Sequence, residues 1–207
     1  YLLNGKPLIA YTIEAALASK VDTVVVSTDN KEIATVAKNF GALVINRPKE
    51  LAQDTTPTLP VIQHALNEFK EKFQLVITLQ PTSPLRSSHH IDSSIDLFNK
   101  HKEADSLVSI IKVPHNMIPD SIMKIDNNGY LMNYLNQEDS ISRRQDKDDY
   151  FARNGAAIYI SKIQNLKKYI FGGKVVPFLM NMNDSIDIDT YDDILQAENF
   201  LKIKKLN

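Results

Sequence analysis

Two aspartates one residue apart, Asp187 and Asp189, interrupt the isoleucines of the heptapeptide DSIDIDT at positions 184–190. In an extended segment successive side chains point to opposite sides, so Ile186 and Ile188 take one face and the two acids the other. A rise of about 3.3 Å per residue puts the acids' Cα atoms roughly 6–7 Å apart, close enough for both carboxylates to lean on one hard cation. Like charges so near each other repel unless a cation or an arginine intervenes. A structural account stands beside the chemical one: Thr190 caps the last helix, Asp192 and Asp193 favour its positive end, and the two earlier acids solvate the approach.

Three further segments carry groups suited to a ligand. QPTSPLR (80–86) stiffens an amide (Gln80), two hydroxyls (Thr82, Ser83) and a guanidinium (Arg86) between Pro81 and Pro84. An ordered loop of this kind loses little entropy on binding a polyhydroxylated ligand, although a proline turn with Ser87 or Ser88 capping the next helix explains the same residues. NRPKELAQDTTPT (46–58) contains Arg47, whose planar fork suits a base edge or a phosphate and equally suits a plain surface position. RRQDKDDYFARNGAAIYI (143–160) gathers Arg143, Arg144 and Arg153, equipment for an anionic substrate or a solvated charge run. The five histidines form no zincin pattern, His89 and His90 read as surface residues near a helix start, and neither a serine nucleophile elbow nor a complete Walker loop occurs.

The elements that must position these groups alternate. Helical patterns cover 7–19, 31–40, 59–73, 91–101 and 191–205, and β-branched runs cover 23–28, 42–45, 74–79, 106–113, 155–160 and 175–180. Such alternation with short links argues an α/β fold around a mostly parallel, doubly wound sheet, whose ligands bind beyond the carboxyl ends of the strands. Each candidate segment follows or adjoins such a run. From 114 to 150 the rhythm breaks into two short strand-like runs around Asn128-Gly129, a hairpin signal. A lone hairpin cannot bury both faces, so this excursion is expected to pair with another subunit as a dimer arm.

Composition narrows the classes. The chain has 207 residues, 43% hydrophobic and 24% charged, with net charge −1 and no cysteine. That suffices for one globular domain with a real core and offers no broad basic surface for nucleic acid or anionic lipid. Disulfide scaffolds and thiolate chemistry are excluded, and a cytoplasmic location is the expectation. The start at Tyr1, within what reads as the approach to a helix, leads to the expectation that residues upstream are missing.

Taken in order and spacing, NGKPLIAYTIEAA, VVVSTDNKEIA, RPKELAQDT, LQPTSPLR and DSIDIDT resemble the acylneuraminate cytidylyltransferases, or CMP-sialic acid synthetases, over nearly the whole chain. The resemblance implies a Rossmann-like nucleotidyltransferase domain over 1–207 with 114–150 as a dimerisation insertion. It implies transfer of CMP from CTP to the anomeric hydroxyl of a nine-carbon α-keto acid sugar such as N-acetylneuraminate or legionaminate, with release of pyrophosphate and a need for Mg²⁺. Position by position, Asp187 and Asp189 match the catalytic metal-binding acids, Arg47 and Thr58 fall in the loop around cytosine and ribose, and Gln80, Arg144 and Tyr159 match sugar contacts, with Arg153 beside them.

Two departures accompany the resemblance. The family's glycine-rich, basic phosphate loop normally precedes the stretch that opens here and is absent from it. In RNGAAIYI the tyrosine follows the Asn-Gly pair one residue later than in many relatives, which bears on Arg153 and Asn154. Transfer to the eight-carbon acid Kdo, and a non-catalytic nucleotide-binding module, are the competing readings.

Overall fold

The computed structural model of the chain describes residues 1–135, 148–155 and 157–206. Strands β1 (Leu2–Leu3) and β2 (Lys6–Pro7) form an antiparallel pair closed by Asn4-Gly5. Both turn residues have positive φ, +49° and +78°, the conformation a two-residue hairpin demands and one that Asn and Gly adopt at low cost. Helix α1 (Leu8–Leu17) follows directly, burying Ala10, Thr12, Ile13 and Ala16. Strand β3 (Val25–Thr28) leads to α2 (Lys31–Asn39), whose cap Asn30 accepts hydrogen bonds from the amides of Glu32 and Ile33. Strand β4 (Leu43–Asn46) pairs in parallel with β3, and α3 (Thr58–Asn67) closes this part of the chain.

The larger sheet is built from β5 (Leu75–Thr78), β6 (Ser106–Lys112), β9 (Phe151–Arg153), β10 (Tyr159–Lys162) and β11 (Val175–Leu179), in the order β11-β6-β10-β5 with β9 also on β6. Helix α4 (Ser88–Lys100) connects β5 to β6. Between β6 and β9 lies the antiparallel hairpin β7 (Met123–Ile125) and β8 (Leu131–Asn133), and α5 (Tyr191–Leu206) ends the described chain. Strand β10 is antiparallel to both β5 and β6, whereas β11 is parallel to β6, so β5, β6 and β11 all run the same way. The fold is thus α/β and Rossmann-like with a mixed sheet. Its antiparallel member has a simple cause: among the described residues no crossover α-helix separates β6 from β10, and a strand returning without one arrives reversed.

Period-two alternation sorts the side chains to two faces. Leu107, Ile158 and Ile160 join Ala16, Ile91 and Phe98 in the main core beneath α1 and α4, while Val108 and Tyr159 pack with Ile110, Ile170 and Phe171 on the other face. A smaller core of Ile13, Ala37 and Ala42 holds β3 and β4 to α1 and α2.

Two expectations need correction here. Residues 184–190 form no strand: the chain leaves β11, closes a 3₁₀ turn at Met182–Ser185 and stays irregular to Thr190. The physical reason is that its hydrogen bonds go to a loop rather than to a ladder, the amide of Ile188 donating to the Thr82 carbonyl at 2.8 Å. The helix expected at 59–73 also stops early, at Asn67.

Candidate active site

Topology brings three loops to one end of the sheet: 79–87 after β5, 154–158 before the antiparallel β10, and 180–190 after β11. Each is stitched to another by specific bonds. Buried Asn154 is the first stitch. Its side-chain carbonyl accepts from the Ser109 hydroxyl at 2.6 Å, and its amide donates to the Ser185 hydroxyl at 2.8 Å, which in turn donates to the Asn181 carbonyl at 2.8 Å. Ser109 also accepts the Ile158 amide at 2.9 Å. This buried polar chain is fully satisfied, the condition under which such a network rigidifies what it joins.

Gly155 comes next. A Cβ built there lies 2.1 Å from Asp187 Oδ2, and its φ is +66°, so both the space and the backbone call for glycine. The Asp187 carboxylate therefore lies directly on the Gly155 backbone. Its other oxygen, Oδ1, is buried without a hydrogen-bond partner. Asp189 is exposed, and its amide donates to Asp193. Hence the two acids differ: one is seated and unsatisfied, the other is open to solvent.

Thr190 and Asp193 complete the structural account as well. The Thr190 hydroxyl and amide both donate to Asp193 Oδ2 at 2.7 Å, and the Asp193 amide returns a bond to the hydroxyl. The bond from the Thr190 side chain, then those from the backbone of Thr190 and Asp189, hold the Asp193 carboxyl below its usual range. This contribution to stability is present above pH 3.8 and is lost as pH falls from there towards the lowered value. The cap reading is satisfied by this segment, whereas the one-face placement of Asp187 and Asp189 falls with the strand.

Arg86 departs from its expected role as a ligand reader. It is 2% exposed, and its guanidinium donates to the Thr12 hydroxyl at 2.6 Å, the Ala157 carbonyl at 2.8 Å and the Gln80 carbonyl at 3.3 Å. Burial pushes its pKa down to about 10, so it remains a cation at neutral pH. Its work is to pin the proline loop to α1 and to the approach of β10. Arg86→Lys cannot span three acceptors. It is expected to destabilise the fold by roughly 1–3 kcal/mol, the cost of leaving buried acceptors unsatisfied. Differential scanning calorimetry should read this as a melting temperature several degrees lower; an unchanged melting point would contradict the pinning.

The other expected site residues divide into those near this end and those apart from it. Gln80 is half-buried at the exit of β5, its carbonyl committed to Arg86. Tyr159 is buried, its ring 5.0 Å from that of Phe171 and its hydroxyl donating to the Gly155 carbonyl at 2.8 Å. Arg153 is exposed on β9 with its guanidinium 5.2 Å from the Phe171 ring centre, so Phe171 lies between Arg153 and the Tyr159 ring, which is tilted 49° to it. Arg47 lies at the exit of β4 and folds back on β3, bonding the Ser27 hydroxyl at 3.3 Å and the Ser27 carbonyl. Thr58 is exposed at the first position of α3. Neither of these two shares a hydrogen bond with the 80–86 or 184–190 segments among the described residues. Arg143 and Arg144 lie outside the described residues.

The donor set suits a hard cation only in a particular way. Among the described residues no cluster of three or more His, Cys, Asp or Glu side chains is grouped to hold an ion by itself. Mg²⁺, however, commonly takes one or two carboxylates together with substrate phosphates and water. The unsatisfied, buried oxygen of Asp187 and the exposed Asp189 two residues on are the donors this segment offers towards such a shared shell.

A family model described as cytidylyltransferase matches residues 1–206. The chain belongs to the cytidylyltransferase family. Among curated relatives it is 32% identical over 190 residues to an N-acylneuraminate cytidylyltransferase of Escherichia coli, covering 91% of this chain and 44% of that protein. It is 34% identical over 213 residues to a CMP-N,N'-diacetyllegionaminic acid synthase of Legionella pneumophila, covering 99% of this chain and 89% of that one. The chain therefore spans less than half of the E. coli relative and nearly all of the Legionella one. Its fold is similar to a solved CMP:2-keto-3-deoxy-manno-octonic acid synthetase complexed with CTP, with TM-score 0.71, 15% identity, and coverage of 99% of this chain and 91% of that one. Among the described residues of this cytidylyltransferase, no helix is long and apolar enough to cross a membrane.

Proposed function

We infer that this chain carries the transfer of CMP from CTP to the anomeric hydroxyl of a nine-carbon α-keto acid sugar of the neuraminate or legionaminate type, releasing pyrophosphate. The observation that carries the reading is Asp187: a carboxylate seated on Gly155, with one buried oxygen unsatisfied, next to the loop that Thr82 and Gln80 provide. Such an oxygen has little structural use and a clear one towards a cation. Asp187 and Asp189 would hold Mg²⁺, which when bound offsets the charge that a triphosphate presents to an incoming oxygen.

The chain's own groups supply the rest. The polar face of the 80–86 loop, Gln80 first, reads sugar hydroxyls; Arg47 and Thr58 read cytosine and ribose; Arg144, Arg153 and Tyr159 serve the sugar side. Since the Tyr159 hydroxyl is already bonded to Gly155, that residue acts through its ring and through the corner it supports. In the transfer, the sugar hydroxyl gives up its proton to solvent and its oxygen forms a bond to the α-phosphorus as the bond from that phosphorus to the pyrophosphate oxygen breaks.

The test is release of pyrophosphate from CTP and Mg²⁺ with a panel of N-acetylneuraminate, N,N'-diacetyllegionaminate and Kdo. Release with either nine-carbon acid supports the reading, release with Kdo alone transfers it to the eight-carbon sugar, and CTP binding with no release from any sugar returns a non-catalytic nucleotide-binding module. The whole-length match to the legionaminic acid synthase favours the second sugar as the better substrate.

The hairpin supports a homodimer. Every residue of β7 and β8 is exposed, Ile125 at 71%, and Tyr130, Leu131, Met132 and Tyr134 add further apolar surface. A two-stranded hairpin this exposed among the described residues is marginal by itself, and a second copy of the chain is the partner we propose. Ile125→Asp with Leu131→Asp is expected to halve the mass found by light scattering; a wild-type mass of one chain would dismiss the arm.

A further inference from the structure

We propose that His90 is a positioning residue that locks the acid-bearing segment to the proline loop, an inference that rests on the reading of Asp187 and Asp189 given above. His90 stands in the first turn of α4, immediately after the 80–86 loop. Its Nδ1 accepts the amide of Ser87 at 3.2 Å while the Ser87 hydroxyl accepts the amide of His90, a reciprocal cap. An Nδ1 that accepts carries no proton, so the neutral ring carries its proton on Nε2. That nitrogen faces Asp184 Oδ2 at 3.7 Å, longer than a hydrogen bond and within electrostatic reach. The two side chains are 18% and 14% exposed, which leaves the pair less screened than a surface contact.

Asp184 is the first residue of DSIDIDT, and its neighbours are held from other directions. Ser185 is bonded to Asn154, and the Ile188 amide is bonded to Thr82 in the same proline loop that His90 ends. Segment 184–188 is thus suspended at three points. Two of them, Thr82 and His90, belong to one continuous piece of chain. With both in place, Asp187 keeps a fixed position relative to the loop that faces the substrate. Among the described residues the two ring nitrogens do different jobs, and isosteric variants separate these. In His90→Asn the side-chain oxygen sits where Nδ1 was, keeping the cap and losing the reach to Asp184. In His90→Gln the terminal amide nitrogen sits near Nε2, keeping the reach and losing the cap.

The experiment is hydrogen exchange of the Ile188 amide, followed by NMR on the metal-free, ligand-free protein, together with the melting temperature of each variant. Locking predicts that His90→Asn speeds exchange at Ile188 about fivefold while the melting temperature hardly moves, and that His90→Gln stays near wild type at Ile188. Unchanged exchange in His90→Asn would overturn the proposal, and so would acceleration in both variants that merely tracks melting. Because the readout needs neither CTP nor turnover, failure of the proposed reaction leaves it standing, and its own failure leaves the reaction untouched. In the active protein, His90→Asn should also lower kcat more than it raises KM for the sugar.

Discussion

Asp187→Asn is expected to abolish most turnover while leaving the fold as stable as before, or more so. The substitution keeps volume and shape and removes one charge. With Asp187 as the cation ligand proposed above, its loss should cost at least the roughly 10- to 100-fold that losing an outer-shell partner costs. Stability should hold or move the other way, because a charged oxygen buried without a partner costs more than a neutral amide in the same place. A gain or no change in melting temperature beside a collapse of pyrophosphate release is the signature of a group retained for function. Asp189→Asn, at an exposed position, should show the collapse without the gain. Wild-type turnover in both variants would leave the segment with its capping role alone.

Gly155→Ala should produce the second large effect by a different route. The new Cβ would lie 2.1 Å from Asp187 Oδ2 and 2.7 Å from its Cγ, so the carboxylate must swing away. Holding alanine at φ +66° adds a backbone cost of roughly 1–2 kcal/mol, which for a chain of this size lowers the melting temperature by about 2–4 °C per kcal/mol. Turnover should fall about as far as in Asp187→Asn. The double variant decides the cause: if Gly155 matters through Asp187, combining Gly155→Ala with Asp187→Asn loses little more than either alone. Losses that multiply would mean that Gly155 acts elsewhere.

Much of this arrangement was legible in the residues, and the exceptions have physical reasons. Most β-branched runs and the serine cap at 87 or 88 were readable because they are local; the structure takes Ser87 as the cap and starts the strand expected at 155–160 only at Tyr159. DSIDIDT was misread as a strand because an irregular segment can alternate isoleucine and aspartate as well, here with both isoleucines only partly buried. Only the long-range bond from Ile188 to Thr82 distinguishes the cases. Arg86 looked like a ligand reader since loop arginines usually face solvent; its partners Thr12 and Ala157 are remote in sequence and invisible to spacing. Asn4-Gly5 was passed over in favour of Asn128-Gly129, although the first closes the tight two-residue turn and the second sits within a longer loop between Ile125 and Leu131. Among the site residues, the Asn154 chain and the seat of Asp187 on Gly155 were not foreseen. An Asn-Gly pair just before a buried strand was the available signal.

Strand β10, threaded backwards between β5 and β6, also governs how the protein is made. Tyr159 must find Thr78 across an intervening helix, strand and excursion, so the middle of the sheet cannot zip until β10 has been made. Pairings of such long sequence separation are slow to form. Until β10 arrives, the facing edges of β5 and β6 stand open, and a nascent chain stalled at that stage is the form most in need of chaperone protection.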